Sequence, residues 1–391
     1  MTDNPILARI SGFSDQLTAI RRDIHAHPEI GFEEVRTSAL VAKELESYGI
    51  EVHRGLGKTG VVGILKGKTD GSRRIGLRAD MDALPIEETT NLPWRSTKPG
   101  TMHACGHDGH TTMLLGAARY LSETRNFAGT VTFIFQPAEE GLGGARAMIA
   151  DGLFKQFPCD ELYGLHNSPT GPHGQVAVRE GPAMAGADFF DIHIEGKGSH
   201  GAHPEFSRDP VIIAMTLGQA MQTIVSRNID PTKTGVVSIT KINAGSAYNV
   251  IPETAHLAGT VRCFDDSVRT LIRERINALC AGIGAAFGAT ITADIRDVFS
   301  VLSNAPEQTK AYAQVARNLF GAANVDDEAG PKMGSEDFAD MLMSAPGCYA
   351  WLGMTPGPSV HNPGYVFDDT ILPLGAALYA GIVEERLKAA A

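Results

Sequence analysis

The chain has 391 residues, 43% hydrophobic and 20% charged, with a formal net charge of −11; this excludes the basic stripe that nucleic acid requires, and no run approaches the about 18 apolar residues of a membrane span. Its length exceeds what one hydrophobic core usually supports, so two domains are expected. Five widely spaced cysteines and the start Met1-Thr-Asp-Asn-Pro5, neither a disulfide framework nor a signal peptide, point to a reducing cytoplasm.

Residues 6–50 read as helix, with Arg-Arg and Glu-Glu pairs flanking a His-Pro turn. Beyond them strands alternate with helices up to Glu180-Gly-Pro182, the order of a mostly parallel sheet covered on both faces. The strand-like run Ile75-Gly-Leu-Arg-Ala79 ends in Asp80-Met-Asp82. Asp82 is a candidate acceptor that holds a ligating imidazole in the right tautomer. For Asp80, a salt bridge with Arg78 is an equal alternative.

The segment Thr101-Met-His-Ala-Cys-Gly-His-Asp-Gly-His110 places a thiol and three imidazoles in ten residues. Thiolate and neutral imidazole are preferred ligands of a borderline-soft divalent ion, and Gly106 and Gly109 would let the backbone turn so that side chains converge. Next, the apolar run Gly129–Phe135 leads into Gln136-Pro-Ala-Glu-Glu140, which puts both glutamates at the carboxyl mouth of a strand. Two adjacent carboxylates repel each other unless one meets a cation. One glutamate then suits the metal and its neighbour suits proton transfer from water. His166, at the end of Leu162-Tyr-Gly-Leu-His166, and His361, in His361-Asn-Pro-Gly364, are each either ligands or ordinary loop histidines.

From Ala187 a different unit begins: strand 189–195, helix 209–228, strands 234–244 and 255–264, helix 267–287 and strand 290–298. This β-α-β-β-α-β order describes a ferredoxin-like α+β domain. The expected α/β architecture is therefore a discontinuous catalytic domain, residues 1–185 and 300–391, with an inserted domain at 186–299. In the insert, His200 lies in the glycine-rich Gly196-Lys-Gly-Ser-His-Gly201. For Arg262 an ion pair with Asp265 is one reading, and His203 reads as a loop histidine.

These motifs together resemble the M20 metallopeptidase family, in particular its aminoacyl-amidohydrolase branch of hippurate hydrolases, N-acyl-amino-acid amidohydrolases and auxin-conjugate hydrolases. The resemblance runs from Arg21-Arg-Asp-Ile-His-Ala-His-Pro-Glu29 and Gly31-Phe-Glu-Glu34 through Asp80–Pro85, Cys105-Gly-His107 and Gln136–Glu140. It continues in Gly196–His200, Asn249-Val-Ile-Pro252, Gly334-Ser-Glu-Asp-Phe338 and His361-Asn-Pro363. It implies two divalent ions per chain (zinc, manganese, cobalt or nickel), with Cys105 as bridge and His107, Glu140, His166 and His361 as further ligands. Glu139 would be the base that takes a proton from water and passes it to the leaving amine, and His110 would stay off the metals. His200 would be the histidine of the lid that donates to the oxyanion, and Asn249 with Arg262 would grip the carboxylate of an N-acyl-L-amino acid. A homodimer formed through the inserted domain is also implied. Alternatives are a small-peptide hydrolase on the same machinery, an inactive metal-binding protein, and a thiol enzyme with Cys105 as nucleophile and His107 as base.

Overall fold

The computed structural model describes residues 4–388, which divide into two compact units. Of the described residues, the first comprises 4–183, 303–330 and 337–388; the second comprises 184–302 together with the short return 331–336. No helix among the described residues is long and apolar enough to cross a membrane.

In chain order the first unit opens with α1 (Pro5–Ser11), α2 (Ser14–Ala26) and α3 (Val35–Ser47), then β1 (Glu51–Leu56), β2 (Gly60–Lys66) and β3 (Thr69–Asp80). It continues with α4 (His107–Thr124), β4 (Ala128–Gln136), α5 (Gly144–Ala150), α6 (Leu153–Gln156), β5 (Glu161–Ser168), β6 (Val176–Ala177) and β7 (Gly181–Met184). The inserted unit holds β8 (Gly186–Glu195), β9 (Ser199–His200), α7 (Pro210–Thr223), β10 (Gly235–Ala244), β11 (Val250–Ile251), β12 (Thr254–Cys263), α8 (Asp266–Phe287) and β13 (Thr290–Phe299). The chain returns through β14 (Leu302–Asn304), α9 (Pro306–Phe320), β15 (Val325–Asp326), α10 (Phe338–Leu342), β16 (Gly347–Gly353) and α11 (Leu372–Arg386).

The eight-stranded sheet of the first unit has the order β1-β2-β4-β3-β5-β16-β6-β15. Its central strands β4, β3, β5 and β16 are mutually parallel, with Asp80 opposite Gln136 and Arg78 opposite Gly164. Both edges depart from the parallel pattern: β2 runs antiparallel to β4 and to β1, to which residues 57–59 alone join it, and β6 runs antiparallel to β16. Strands buried on both faces read as continuous apolar runs, and all seven residues of β16 are buried. Against this core lie α4 and α11, which pack on each other and are themselves almost wholly buried. The N-terminus of α3 is capped from upstream: Glu29 accepts from the N–H groups of Arg36 and Thr37, at 3.0 and 2.9 Å.

The second unit is antiparallel throughout its four-stranded sheet, order β10-β12-β8-β13. Alternation in β8 shows why it is covered on one face: Phe190, Ile192 and Ile194 are buried with α7 and α8, whereas Phe189, His193 and Glu195 are exposed. Helix α8 begins at an Asp265 cap that accepts from the Ser267 N–H at 2.7 Å and ends at Gly288 with φ 65. A two-strand ribbon, β9 with β11, pairs His200 with Val250.

Candidate metal centre

Strands β3 and β4 end side by side at Asp80 and Gln136, β5 carries His166 near its end, and α4 begins at His107. The chemistry-bearing residues of the first unit thus collect at the carboxyl edge of the parallel strands. Gly106, just before α4, has φ 102, and a Cβ there would stand 2.3 Å from the Asn167 Oδ1. Only glycine fits both demands, and this turn is what delivers Cys105 and His107 to one place. Gly109 serves differently from the turn role expected of it. It lies inside α4, where a Cβ would reach 2.1 Å from the Phe367 ring, so it supplies space rather than a bend.

The hydrogen bonds set which nitrogen of each imidazole is available. His107 Nδ1 lies 3.1 Å from Asp82 Oδ1, so it donates there and Nε2 is the nitrogen left to face a metal. That Nε2 is buried with no hydrogen-bond partner, 3.9 Å from Glu140 Oε1 and 4.0 Å from Glu139 Oε2. His166 Nδ1 donates to the Asn167 carbonyl at 2.6 Å, which turns its Nε2 towards Cys105 Sγ at 3.4 Å. His361 Nε2 lies 3.2 Å from Glu140 Oε1, and its own backbone stands at φ 65. Such a non-glycine outlier is held by its surroundings, here by the bond from its N–H to the Ala104 carbonyl at 2.7 Å.

His110 has no nitrogen to offer. Its Nδ1 is 2.7 Å from Asp80 Oδ1 and its Nε2 is 2.7 Å from Asn167 Oδ1, so the proximity of Asp80, His107 and His110 makes a hydrogen-bonded support and not a ligand set. Asp80 spends its other oxygen on Arg78, at 2.8 Å. Asn167 escaped notice in the sequence although it follows His166 directly. It holds His110 and, through its carbonyl, His166.

Electrostatics describe a donor set with more negative charge than protons easily neutralise. Burial works against a charged His107, but Asp80, Cys105 and the Asp82 hydrogen bond outweigh it and hold its pKa well above the usual imidazole value. Hydrogen bonds to Cys105 and Glu140 push His361 up to about 10. Burial, reinforced by His110, keeps His166 well below the normal value and therefore neutral. Burial and the Glu140 charge raise the Cys105 thiol. A divalent cation relieves all of these together, because ligands release protons as it binds. Among the groups whose ligand atoms are close enough to hold one are Cys105 with His107 and His166, Cys105 with Glu140 and His361, and His107 with Glu139 and Glu140. The unpartnered, buried His107 Nε2 is what such an ion would satisfy.

In the second unit His200 and Asn249 share the β9–β11 ribbon, where the Gly201 N–H donates to the Asn249 carbonyl at 2.7 Å. Both are exposed. Arg262 sits eight residues up β12 from Thr254, roughly 27 Å of strand, so the structure places Asn249 beside His200 and leaves Arg262 at the other end of that strand. The Arg262–Asp265 ion pair is not formed; Asp265 bonds Lys233 at 2.6 Å. Arg262 instead bonds Thr260 Oγ1 and the Val261 carbonyl, and its guanidinium lies 5.9 Å from the Phe189 ring centre. His203 pairs with Glu205 at 3.2 Å.

Residues 76–385 match Peptidase family M20/M25/M40. The hippurate hydrolase of Campylobacter jejuni is 44% identical over 383 residues, covering 98% of this chain and 100% of that one. The N-acetylcysteine deacetylase of Bacillus subtilis is 40% identical over 381 residues, covering 96% and 99%. Among crystal structures, a Bacillus subtilis dinuclear metal binding peptidase from the M20 family superposes with a TM-score of 0.84 at 36% identity, over 96% of this chain and 99% of that one.

Proposed function

This chain belongs to peptidase family M20/M25/M40 and is a metal-dependent amidohydrolase, and from that premise we propose that it hydrolyses N-acyl-L-amino acids of the hippurate or N-acetyl type to a carboxylate and a free amino acid. The observation that carries the reading is the buried, unpartnered ligand atom His107 Nε2, which faces the carboxylates of Glu139 and Glu140 at 4.0 and 3.9 Å. We assign Cys105 as the bridge between two divalent ions, with His107, His166, Glu140 and His361 completing the ligands; zinc, manganese, cobalt and nickel all suit this donor set. When bound, the ions polarise the amide carbonyl and lower the pKa of water.

The residues of the chain supply the rest. Asp82 orients two groups at once, taking the His107 Nδ1–H on Oδ1 and the Glu140 N–H on Oδ2 at 3.0 Å. Glu139 takes a proton from the attacking water and later gives it to the leaving amine, because an unprotonated amine leaves poorly. In the second unit His200 donates to the developing oxyanion. Arg262, whose planar fork suits a carboxylate, stands roughly 27 Å of strand from the His200 end of its own unit, so it is assigned to the α-carboxylate only of a substrate whose oxyanion is served by the His200 of a second copy of the chain. Asn249, placed beside His200, is assigned to the amide end of the substrate.

We also infer a homodimer through the second unit, supported by the exposed apolar side chains Ile212, Met215, Tyr248 and Val250, and a cytoplasmic location. Sedimentation of the purified protein as a monomer would remove the first of these; secretion of a tagged chain would remove the second.

The deciding experiment strips the protein with a chelator, restores each metal in turn and follows a panel of N-acetyl, N-benzoyl, long-chain and indole-acyl amino acids beside dipeptides. Hydrolysis of acyl amino acids only with metal is the expected result. Undiminished hydrolysis after stripping would favour the Cys105–His107 thiol mechanism, and turnover confined to dipeptides would favour a peptidase.

A further inference from the structure

Glu139 is carried by a turn that its own sequence does not stabilise. Ala138, directly before it, stands at φ 53, in the left-handed region that a side chain with a Cβ enters at a cost. Contacts from outside the turn must therefore hold it. Three hydrogen bonds do so: the Ala138 N–H donates to Glu34 Oε1 at 2.8 Å, the Glu140 N–H donates to Asp82 Oδ2 at 3.0 Å, and the Gly144 N–H donates to the Ala138 carbonyl at 3.0 Å.

Of these three, Glu34 comes from farthest away, 104 residues upstream, and nothing in the reaction described above uses it. It is a wholly buried carboxylate. Its second oxygen accepts from the Thr59 hydroxyl at 2.6 Å, so both oxygens have fixed directions. Gly31, in the same segment, approaches so closely that a Cβ there would stand 2.9 Å from the Ala138 Cβ. The segment Gly31–Glu34 is thus pressed against Ala138 and anchored at its other side by Thr59. A buried polar acceptor on a strained peptide adjoining a proton-transfer residue is an expensive arrangement for ordinary core packing, which apolar side chains achieve without it.

We propose that Glu34 is a positioning residue for Glu139: it holds the Ala138 peptide left-handed and thereby sets where the carboxylate of the next residue points. Glu34 itself touches no reacting atom. This inference rests on the reading of Glu139 as the base.

The test uses the metal-loaded enzyme and measures kcat, KM and metal stoichiometry on an N-acyl amino acid that the enzyme hydrolyses. Glu34→Gln keeps an oxygen for the Ala138 N–H and is expected to retain kcat within about threefold, whereas Glu34→Ala should lower kcat about tenfold or more, since small misplacements of a catalytic group are costly. KM and metal content should be unchanged in both. Adding Ala138→Gly to Glu34→Ala makes the left-handed backbone accessible without the bond, so part of the lost kcat should return. Glu34→Leu fills the same space without an acceptor and replaces Glu34→Ala, with the same expectations, if the alanine variant does not fold.

The inference is overturned if Glu34→Ala loses less than about twofold in kcat, if metal is lost in parallel, if Glu34→Gln is no better than alanine, or if glycine at 138 restores nothing. Glu139→Gln separates the two readings. An inactive Glu139→Gln beside a fully active Glu34→Ala rejects the positioning role alone, and an active Glu139→Gln rejects the base assignment beneath it.

Discussion

In the first unit, Asp82 and the ring nitrogens of His107 and His166 that face away from the cluster are each tied to a named partner; in the second unit, His200 is exposed and the hydrogen bond that holds its ring comes from the Ala202 N–H at 3.1 Å. The contrast teaches where each unit meets the cost of desolvation. Cys105 and His107 at the metal centre are taken out of water by folding, before any substrate arrives, although His361 stays half exposed, and the cluster is kept in register by bonds to side chains and backbone. The ribbon with His200 and Asn249 leaves its polar groups in water, so their order must come with substrate. A pre-organised centre and an adaptable recognition surface follow from this difference in burial.

The sharpest way to break the comparison is at Glu139 and Glu140. Glu139→Gln should keep its metal while losing about a thousandfold in kcat, the scale of general acid–base catalysis, whereas Glu140→Gln should lose metal as well. Elemental analysis beside the rates decides it, and equal metal loss in both variants would dissolve the division of roles.

A smaller effect is expected in the second unit. His200→Ala should lower kcat roughly a hundredfold with metal content intact, because an oxyanion donor acts mainly in the transition state. Unchanged kcat would leave the β9–β11 ribbon with a structural role only. Smaller again is Arg262→Ala, for which KM should rise about tenfold for substrates with a free α-carboxylate and far less for their methyl amides. Equal losses on both substrates would remove the carboxylate contact.

The smallest expected change concerns the support beneath α4. Burial opposes a charge on His25, but its hydrogen bond to Asp108 and the Glu88 carboxylate 3.4 Å from its Nε2 outweigh that and raise its pKa from 6.5 to about 9. Protonated His25 therefore stabilises the fold fully below pH 6.5 and loses that contribution as pH rises through about 9, on the order of 3 kcal/mol in all. Thermal midpoints measured across this window should fall in the wild type and stay flatter in His25→Asn. Parallel curves would mean that the buried histidine carries no linked proton.

Residue order alone was enough for the α/β class and for the β-α-β-β-α-β pattern of the insert, because apolar periodicity, glycine turns and helix lengths are local properties that survive without knowledge of neighbours. It was also enough to gather the types of side chain that metal and proton chemistry need, since Cys105, His107 and the Glu139–Glu140 pair sit in compact motifs. Tertiary structure alone decided how those side chains are used. Sheet register places β3 between β4 and β5, and so brings Asp82 to His107, Asp80 to His110, and Asn167 to His110. The same register separates two aspartates two residues apart into a support for Arg78 and His110 and a support for His107 and Glu140. Glu34 was visible only as part of a motif, because a hydrogen bond spanning 104 residues leaves no periodicity to read. Gly109 was misjudged for a related reason: a clash with Phe367 is a fact about packing, and packing partners are chosen by the whole fold rather than by the neighbours in sequence.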